Sequence, residues 1–226
     1  MGDKSHFSLS AADYEAARSG HLALRRQELV EEALRGQRTR VRHVLEIGFG
    51  SGKLLAKLAL KYPHITFSGT EIEPKMVVYA QEHYALANLE YRLVDMNKTG
   101  FATKFDFVYS IDVLHHIHEP LPFLRAVRGL MNDSANWLVV EPNIYHPYIY
   151  YQQNRMRRRG LDEDQFRPWI FGPLIRNSGF RLRERRYAFV FPNFINQLPQ
   201  PLQWLEYRLE HKRLLGGSVV YLLTTE

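Results

Sequence analysis

Apolar positions along the first two-thirds of the chain follow two rhythms in turn. Short, nearly continuous apolar runs alternate with stretches in which apolar residues recur every three to four positions. A run of the first kind suits a strand covered on both faces, and a stretch of the second kind is the core-facing stripe of a helix. The runs predict strands at about 42–47, 65–72, 89–94, 105–111 and 137–140. Between them, Leu54, Leu55, Leu58 and Ala59 form the stripe of a helix stopped by Pro63. Pro74 opens a second helix carrying Met76, Val77, Tyr79 and Ala80, and 121–131 reads as a third. Ahead of all these, 11–35 reads as helical, with Leu22, Leu29, Val30 and Leu34 on one face. Ser10 and Asp13 there stand in the positions of a capping box.

Strands and helices alternating at these lengths predict a parallel α/β sheet. Such sheets bind ligands beyond the carboxyl ends of their strands, near the point where strand order reverses. The texture changes after Glu141. Residues 142–160 are rich in Pro, Tyr and Arg, followed by a helix at about 162–178, a strand at 181–191, an amphipathic helix from Pro201 to Leu215 and a last strand at 219–224. The expectation is one domain over 1–226: N-terminal helices in 1–40, a ligand-binding core in 41–142, and a substrate cap with the far edge of the sheet in 143–226.

Length and composition fit one globular domain with a sizeable core: 226 residues, 45% of them hydrophobic. The absence of cysteine excludes disulfides, thiolate metal sites and a Cys nucleophile. No apolar stretch approaches the roughly 18 residues of a membrane span, and MGDKSHFSLS lacks the apolar segment of a signal peptide. The expected location is therefore the cytoplasm. The net charge of +6 comes with arginine clusters at 155–159 and 181–186. These are read as solvated faces in preference to a nucleic-acid surface.

The chemistry concentrates at Val44 to Gly52, VLEIGFGSG. Here a buried strand runs into glycines at 48, 50 and 52, where a ligand approaches the backbone closely. A P-loop is excluded, because Ile47 stands at its first glycine and Leu54 at its Ser/Thr. The dinucleotide fingerprint fails at Lys53, where its third glycine belongs. Glu46 faces a pyrophosphate poorly but suits an ammonium group. Glu71 ends the second strand at about the offset where nucleotide-binding folds place an acid on ribose hydroxyls. Asp95, Met96 and Asn97 end the third strand, and Ser110, Ile111 and Asp112 end the fourth, just before His115 and His116.

At this point the chain resembles the class I S-adenosylmethionine-dependent methyltransferases of the small-molecule type. VLEIGFGSG is similar to their first motif, TEIEPKMVVYA to the second, VDMN to the adenine-contacting segment and SIDVLHHIHEP to the fourth-strand motif. WLVVEPN looks like the fifth strand, and NSGF at 177–180 like the phrase before the sixth. Departures are MNDSAN at 131–136, where the family carries a Lys-Pro-Gly-Gly-type turn, and the absence of an Asn/Asp-Pro-Pro-Tyr motif.

The resemblance implies a Rossmann-like, seven-stranded, mostly parallel sheet with helices on both faces and a small cap. It implies S-adenosyl-L-methionine as cofactor and methyl transfer to a small-molecule acceptor at oxygen, with an RNA methyltransferase, a nicotinamide-dependent oxidoreductase and an inert cofactor-binding module as the alternatives. In that reading Glu46 orients the methionyl ammonium, Gly48, Gly50 and Gly52 admit the ligand, and Glu71 holds the ribose diol. Ile72 and Met96 sandwich the adenine, Asp95 reads its amine, and Ser110 offers a backbone contact beside the methionine. Tyr14 and an arginine near Arg18 or Arg25 close over the cofactor. His116 and His115 are the candidate bases, because imidazole titrates near neutral pH. No metal is expected, since the spacing of His115, His116, His118 and Glu119 matches no ligand motif. The aromatics Tyr145 to Tyr151, Trp169, Phe171 and Phe194 suit an aromatic or lipid-linked small molecule, and the 201–215 helix is expected to pack against the sheet in preference to lying on a membrane.

Overall fold

A computed structural model describes residues 9–37, 40–94, 101, 103–158, 167–191 and 197–225. Its centre is a seven-stranded sheet in the order β3-β2-β1-β4-β5-β7-β6. The strands are β1 (His43–Ile47), β2 (Thr66–Glu71), β3 (Leu89–Leu93), β4 (Phe105–Ile111), β5 (Met131–Pro142), β6 (Arg181–Ala188) and β7 (Ser218–Thr224). The first five pair in parallel, and β7 runs antiparallel between β5 and β6. The order reverses between β1 and β4, which opens a crevice at their carboxyl ends.

The helices are α1 (Ala11–Ala17), α2 (His21–Arg35), α3 (Lys53–Lys61), α4 (Pro74–His83), α5 (Pro120–Gly129), α6 (Pro147–Arg158), α7 (Pro168–Asn177) and α8 (Gln200–Leu209). They cover both faces of the sheet. Leu29, Leu55, Leu58 and Ala80 pack with Phe67, Phe107 and Tyr109 on one side, and Phe123, Leu124, Val127, Phe171 and Ile175 with Leu45, Val108 and Trp137 on the other. In β4, Phe107 and Tyr109 thus face one core and Val108 the other, as the two-residue strand period requires. Truncating a fully buried side chain such as Leu55 or Phe67 to alanine costs about 2–5 kcal/mol.

Three departures from the sequence pattern shape the site. The helix expected over 11–35 breaks after Ala17, and Gly20 adopts φ 91°. Only glycine takes that conformation cheaply, and the break lets α1 turn onto the crevice. Residues 131–136, expected to form a turn, belong to β5. Phe105 pairs with Met131 but Phe107 with Asn136, so the extra residues bulge out, with Ser134 at φ 62°. The third departure is α6, which forms in the Pro-, Tyr- and Arg-rich stretch; His146 caps it, its Nδ1 accepting the Tyr148 N–H at 3.2 Å.

α8 is also shorter than expected, and its inward side carries acids. Glu206 is buried and accepts the Val190 N–H, and Glu210 just beyond the helix pairs with Arg25. Leu202 and Trp204 face solvent. Among the described residues no helix is long and apolar enough to cross a membrane.

Candidate active site

A cavity of about 710 Å³ occupies the crevice at the strand ends. Ile47, Gly48, Gly50, Thr70, Glu71, Ile72 and Val94 line one part of it, and Asp112, His115, His116, His118 and Glu119 another. α1 contributes Tyr14 and Arg18. α6 contributes Ile149, Gln152, Gln153 and Met156, the face of one helical stripe.

The glycine loop is held by Glu71. Its Oε2 accepts the Gly50 N–H at 2.8 Å, and its Oε1 accepts from Ile72 at 2.8 Å and Glu73 at 3.3 Å. Burial pushes its carboxyl up, against these three N–H donors. Gly48, Gly50 and Gly52 all have positive φ. At Gly50 a Cβ would lie 2.6 Å from the Tyr14 ring, so glycine there admits α1 as well as a ligand. At Gly52 it would meet Ala80 and Tyr91 at 2.8 and 2.9 Å. Gly52 therefore serves the packing of α3 on α4 and lies outside the cavity wall.

Glu46 is buried beneath the loop, and its Oε2 accepts from the Tyr109 hydroxyl at 2.9 Å. Burial pushes its carboxyl up to about 8, with Glu71 adding to the shift and Tyr109 and Arg18 opposing it. It borders a smaller cavity of about 80 Å³, shared with Tyr14, Arg18, Arg26 and Gly48.

Asp112 follows β4 at φ 58° and binds two guanidiniums, Arg18 at 2.6 Å and Arg26 at 3.3 Å. Burial would raise its carboxyl, but Arg18, Arg26 and His115 hold it at about 2. Two cations share one carboxylate, and among the described residues the buried Arg26 Nε has no hydrogen-bond partner. Burial and the neighbouring Arg18 bring Arg26 down to about 10. The site therefore has room, electrostatically, for one more anionic group. Arg25 lies elsewhere: it is buried against Glu210, Glu32 and Glu28 and stacks on Tyr207.

Behind the cavity, Glu141 at the end of β5 accepts from the backbone N–H groups of Val113, Leu114 and His115 and from His115 Nδ1. This fixes the 3-10 turn Leu114–His116 and sets the His116 ring 4.0 Å from that of His115. Glu141 is a functional candidate that the sequence pattern missed; its only signal was a charged residue at the end of an apolar strand.

A family model for a methyltransferase domain matches residues 44–133. N-methyltransferase 4 of Papaver somniferum is 27% identical over 128 residues, covering 54% of this chain and 34% of that protein. A malonyl-[acyl-carrier protein] O-methyltransferase of Acetivibrio thermocellus is 26% identical over 164 residues, 72% of this chain and 57% of that one. The chain thus spans between a third and three-fifths of these relatives. The N-methyltransferase NodS of Bradyrhizobium japonicum, solved with S-adenosyl-L-homocysteine, superposes with a TM-score of 0.64 at 12% identity, covering 96% of this chain and 93% of that one. Over its sheet core the chain is therefore similar to methyltransferase domains, and its fold is the one these enzymes share. The cofactor that this similarity implies is S-adenosyl-L-methionine.

The residues present fit that cofactor. A half-buried acid ends β2, and beside Asp112 stands a cation-rich corner whose Arg26 Nε has no partner among the described residues, a setting that suits a carboxylate. Of the expected contacts, Gly48, Gly50, Glu71, Ile72, His115 and His116 line the cavity, as do Tyr14 and Arg18. Ser110 does not: it is fully buried in β4, where its Oγ accepts from the Trp137 indole N–H at 3.1 Å. Ile111 and Asp112 line the cavity in its place. Asp95, Met96 and Phe194 lie outside the described residues. The cap aromatics turn away, with Tyr148, Tyr150, Tyr151 and Trp169 exposed and Phe171 in the core. Tyr145 packs on Trp169 and under Arg213.

Proposed function

We propose that this methyltransferase acts as a single domain in the cytoplasm, on a small-molecule acceptor and at oxygen. One observation carries the reading. One cavity runs from the glycine loop and Glu71 to His116 and the α6 stripe, so cofactor and acceptor fit in one continuous space.

Bound S-adenosyl-L-methionine supplies an electrophilic methyl group on a sulfonium. The chain's own task is alignment, which is worth roughly 7–11 kcal/mol of barrier in well-oriented reactions. Glu71 accepts from the ribose diol, Arg18 exchanges Asp112 for the methionyl carboxylate, and Glu46 balances the ammonium. Ile72 covers the adenine. α1 and α6 exclude water. His116 takes the proton of the acceptor hydroxyl, a contribution of about 10²–10⁴-fold, and His115 orients it.

The arginines of β6 favour a small acceptor over RNA. Arg181, Arg183 and Arg185 are exposed on the edge strand, and none lines the cavity. The deciding experiment measures S-adenosylhomocysteine release with hydroxylated small molecules, amines and total RNA side by side. Release with hydroxylated compounds is expected; release with RNA alone would replace this reading.

A further inference from the structure

Gln153 is a buried amide that the fold does not use. It sits on the cavity stripe of α6 at 5% exposure, between Ile149 and Met156, one turn away on either side. Its Oε1 is buried with no hydrogen-bond partner among the described residues. The neighbouring Gln152 is already engaged, its Nε2 donating to the Tyr148 hydroxyl at 2.7 Å. A buried amide oxygen without a donor is a standing cost to the folded state, and native structures retain few of them. Retained in the wall of a ligand cavity, it marks a place where a ligand supplies the donor.

We propose that Gln153 is a specificity contact for the acceptor. Its amide oxygen accepts from a second hydroxyl or N–H group carried by the molecule that is methylated. This rests on the methyl-transfer reading of the same cavity. The rest of the cavity defines the acceptor further. Beside the polar groups at the strand ends it carries the apolar side chains of Ile117, Phe123, Ile149 and Met156, so the acceptor is a molecule with an apolar body and two donors, such as a dihydroxylated ring. A site built to bond such a donor rejects the capped analogue strongly, because the analogue leaves the amide unpaired again.

Two measurements on the full chain test this. The first is the melting temperature of Gln153→Met, which keeps the side-chain length and removes the orphaned oxygen. An unchanged or higher value is expected, whereas a fall of several degrees would give the amide a structural role and overturn the proposal. The second titrates resorcinol and 1,3-dimethoxybenzene into protein loaded with S-adenosylhomocysteine, read by ligand-observed NMR. The native protein should bind resorcinol at least tenfold tighter, and the ratio should approach one in Gln153→Met. Equal binding in the native protein, no binding of resorcinol, or a preference that survives the substitution overturns it. Failure of S-adenosylhomocysteine to bind at all is the distinct result that sinks the methyl-transfer reading itself.

Discussion

His115 Nδ1 lies 2.8 Å from Glu141 Oε2, with the histidine 7% exposed and the glutamate fully buried. A carboxylate only accepts, so the Nδ1 atom carries the proton. The same carboxylate accepts three backbone N–H groups of the turn that presents His116 to the cavity. Glu141 does not line the cavity, so the role it can play there is positioning. Asn143, two residues on, extends the scaffold by donating to the carbonyls of Arg213 and Gly216.

Removing that carboxylate should therefore change the imidazole before it changes anything else. In Glu141→Ala the His115 proton is expected to move from Nδ1 to Nε2, read by long-range ¹H–¹⁵N NMR of the two ring nitrogens. Turnover should fall at least tenfold with cofactor affinity unchanged. Melting should drop as well, because each buried N–H left without an acceptor costs about 1–3 kcal/mol. Glu141→Gln keeps one acceptor oxygen and should recover much of the melting temperature but little of the rate. An unaltered tautomer in the alanine variant would refute the positioning role.

Arg18 and Arg25 separate ligand binding from folding. Arg18 lines the cavity and pairs with Asp112, and Arg25 is buried among three glutamates. Arg18→Gln is expected to weaken S-adenosylhomocysteine by about 10–100-fold, the value of one charge-assisted contact, with little change in melting. Arg25→Gln should behave in the opposite way. Breaking a buried pair from one side costs about 3–5 kcal/mol, which lowers the melting temperature by roughly 10 °C for a chain of this size. Isothermal titration and thermal melts on both variants check the pair.

Glu71 should show both effects together. It holds Gly50, Ile72 and Glu73 through their N–H groups and faces the cavity. Glu71→Ala is expected to lose at least tenfold in cofactor affinity, since hydrogen bonds to a charged group contribute about 1.5–3 kcal/mol each, and to melt earlier because the loop is released. Unchanged affinity would remove the ribose assignment.

What the sequence made legible follows from which forces act locally. The parallel strands stood out because burial on both faces leaves an unbroken apolar run, and β4 falls at the expected residues, Phe105–Ile111. The strand-end acids were legible because α/β sheets bind ligands there. The break after Ala17 was hidden, since apolar periodicity continues across Gly20. The bulge in β5 was hidden because Asn132, Asp133 and Ser134 are turn residues that tertiary pairing overrides. α6 was missed because tyrosines, glutamines and arginines leave no clear stripe until the cavity defines its inner side. The pairs that build the site span long separations, 94 residues for Arg18 with Asp112 and 26 for His115 with Glu141, and no local pattern records them.

Glu46 gives the clearest pH signature. Its carboxyl rises from an ordinary 4.5 to about 8 on burial. An acid whose folded value is raised contributes its stability fully below the unfolded value and loses it as pH climbs to the folded one. The native protein should therefore lose stability between about pH 4.5 and 8, by several degrees of melting temperature. Glu46→Gln stays neutral and can still accept from Tyr109, so its melting temperature should fall less over that window and exceed the native value increasingly toward pH 8. Cofactor binding adds a second reading. The ammonium that Glu46 is proposed to balance would favour the ionised form, so binding at pH 7 should release up to about one proton. Titration calorimetry in buffers of different ionisation enthalpy measures that release. Its absence from the native protein would detach Glu46 from the ammonium, and its persistence in Glu46→Gln would assign the proton to another group.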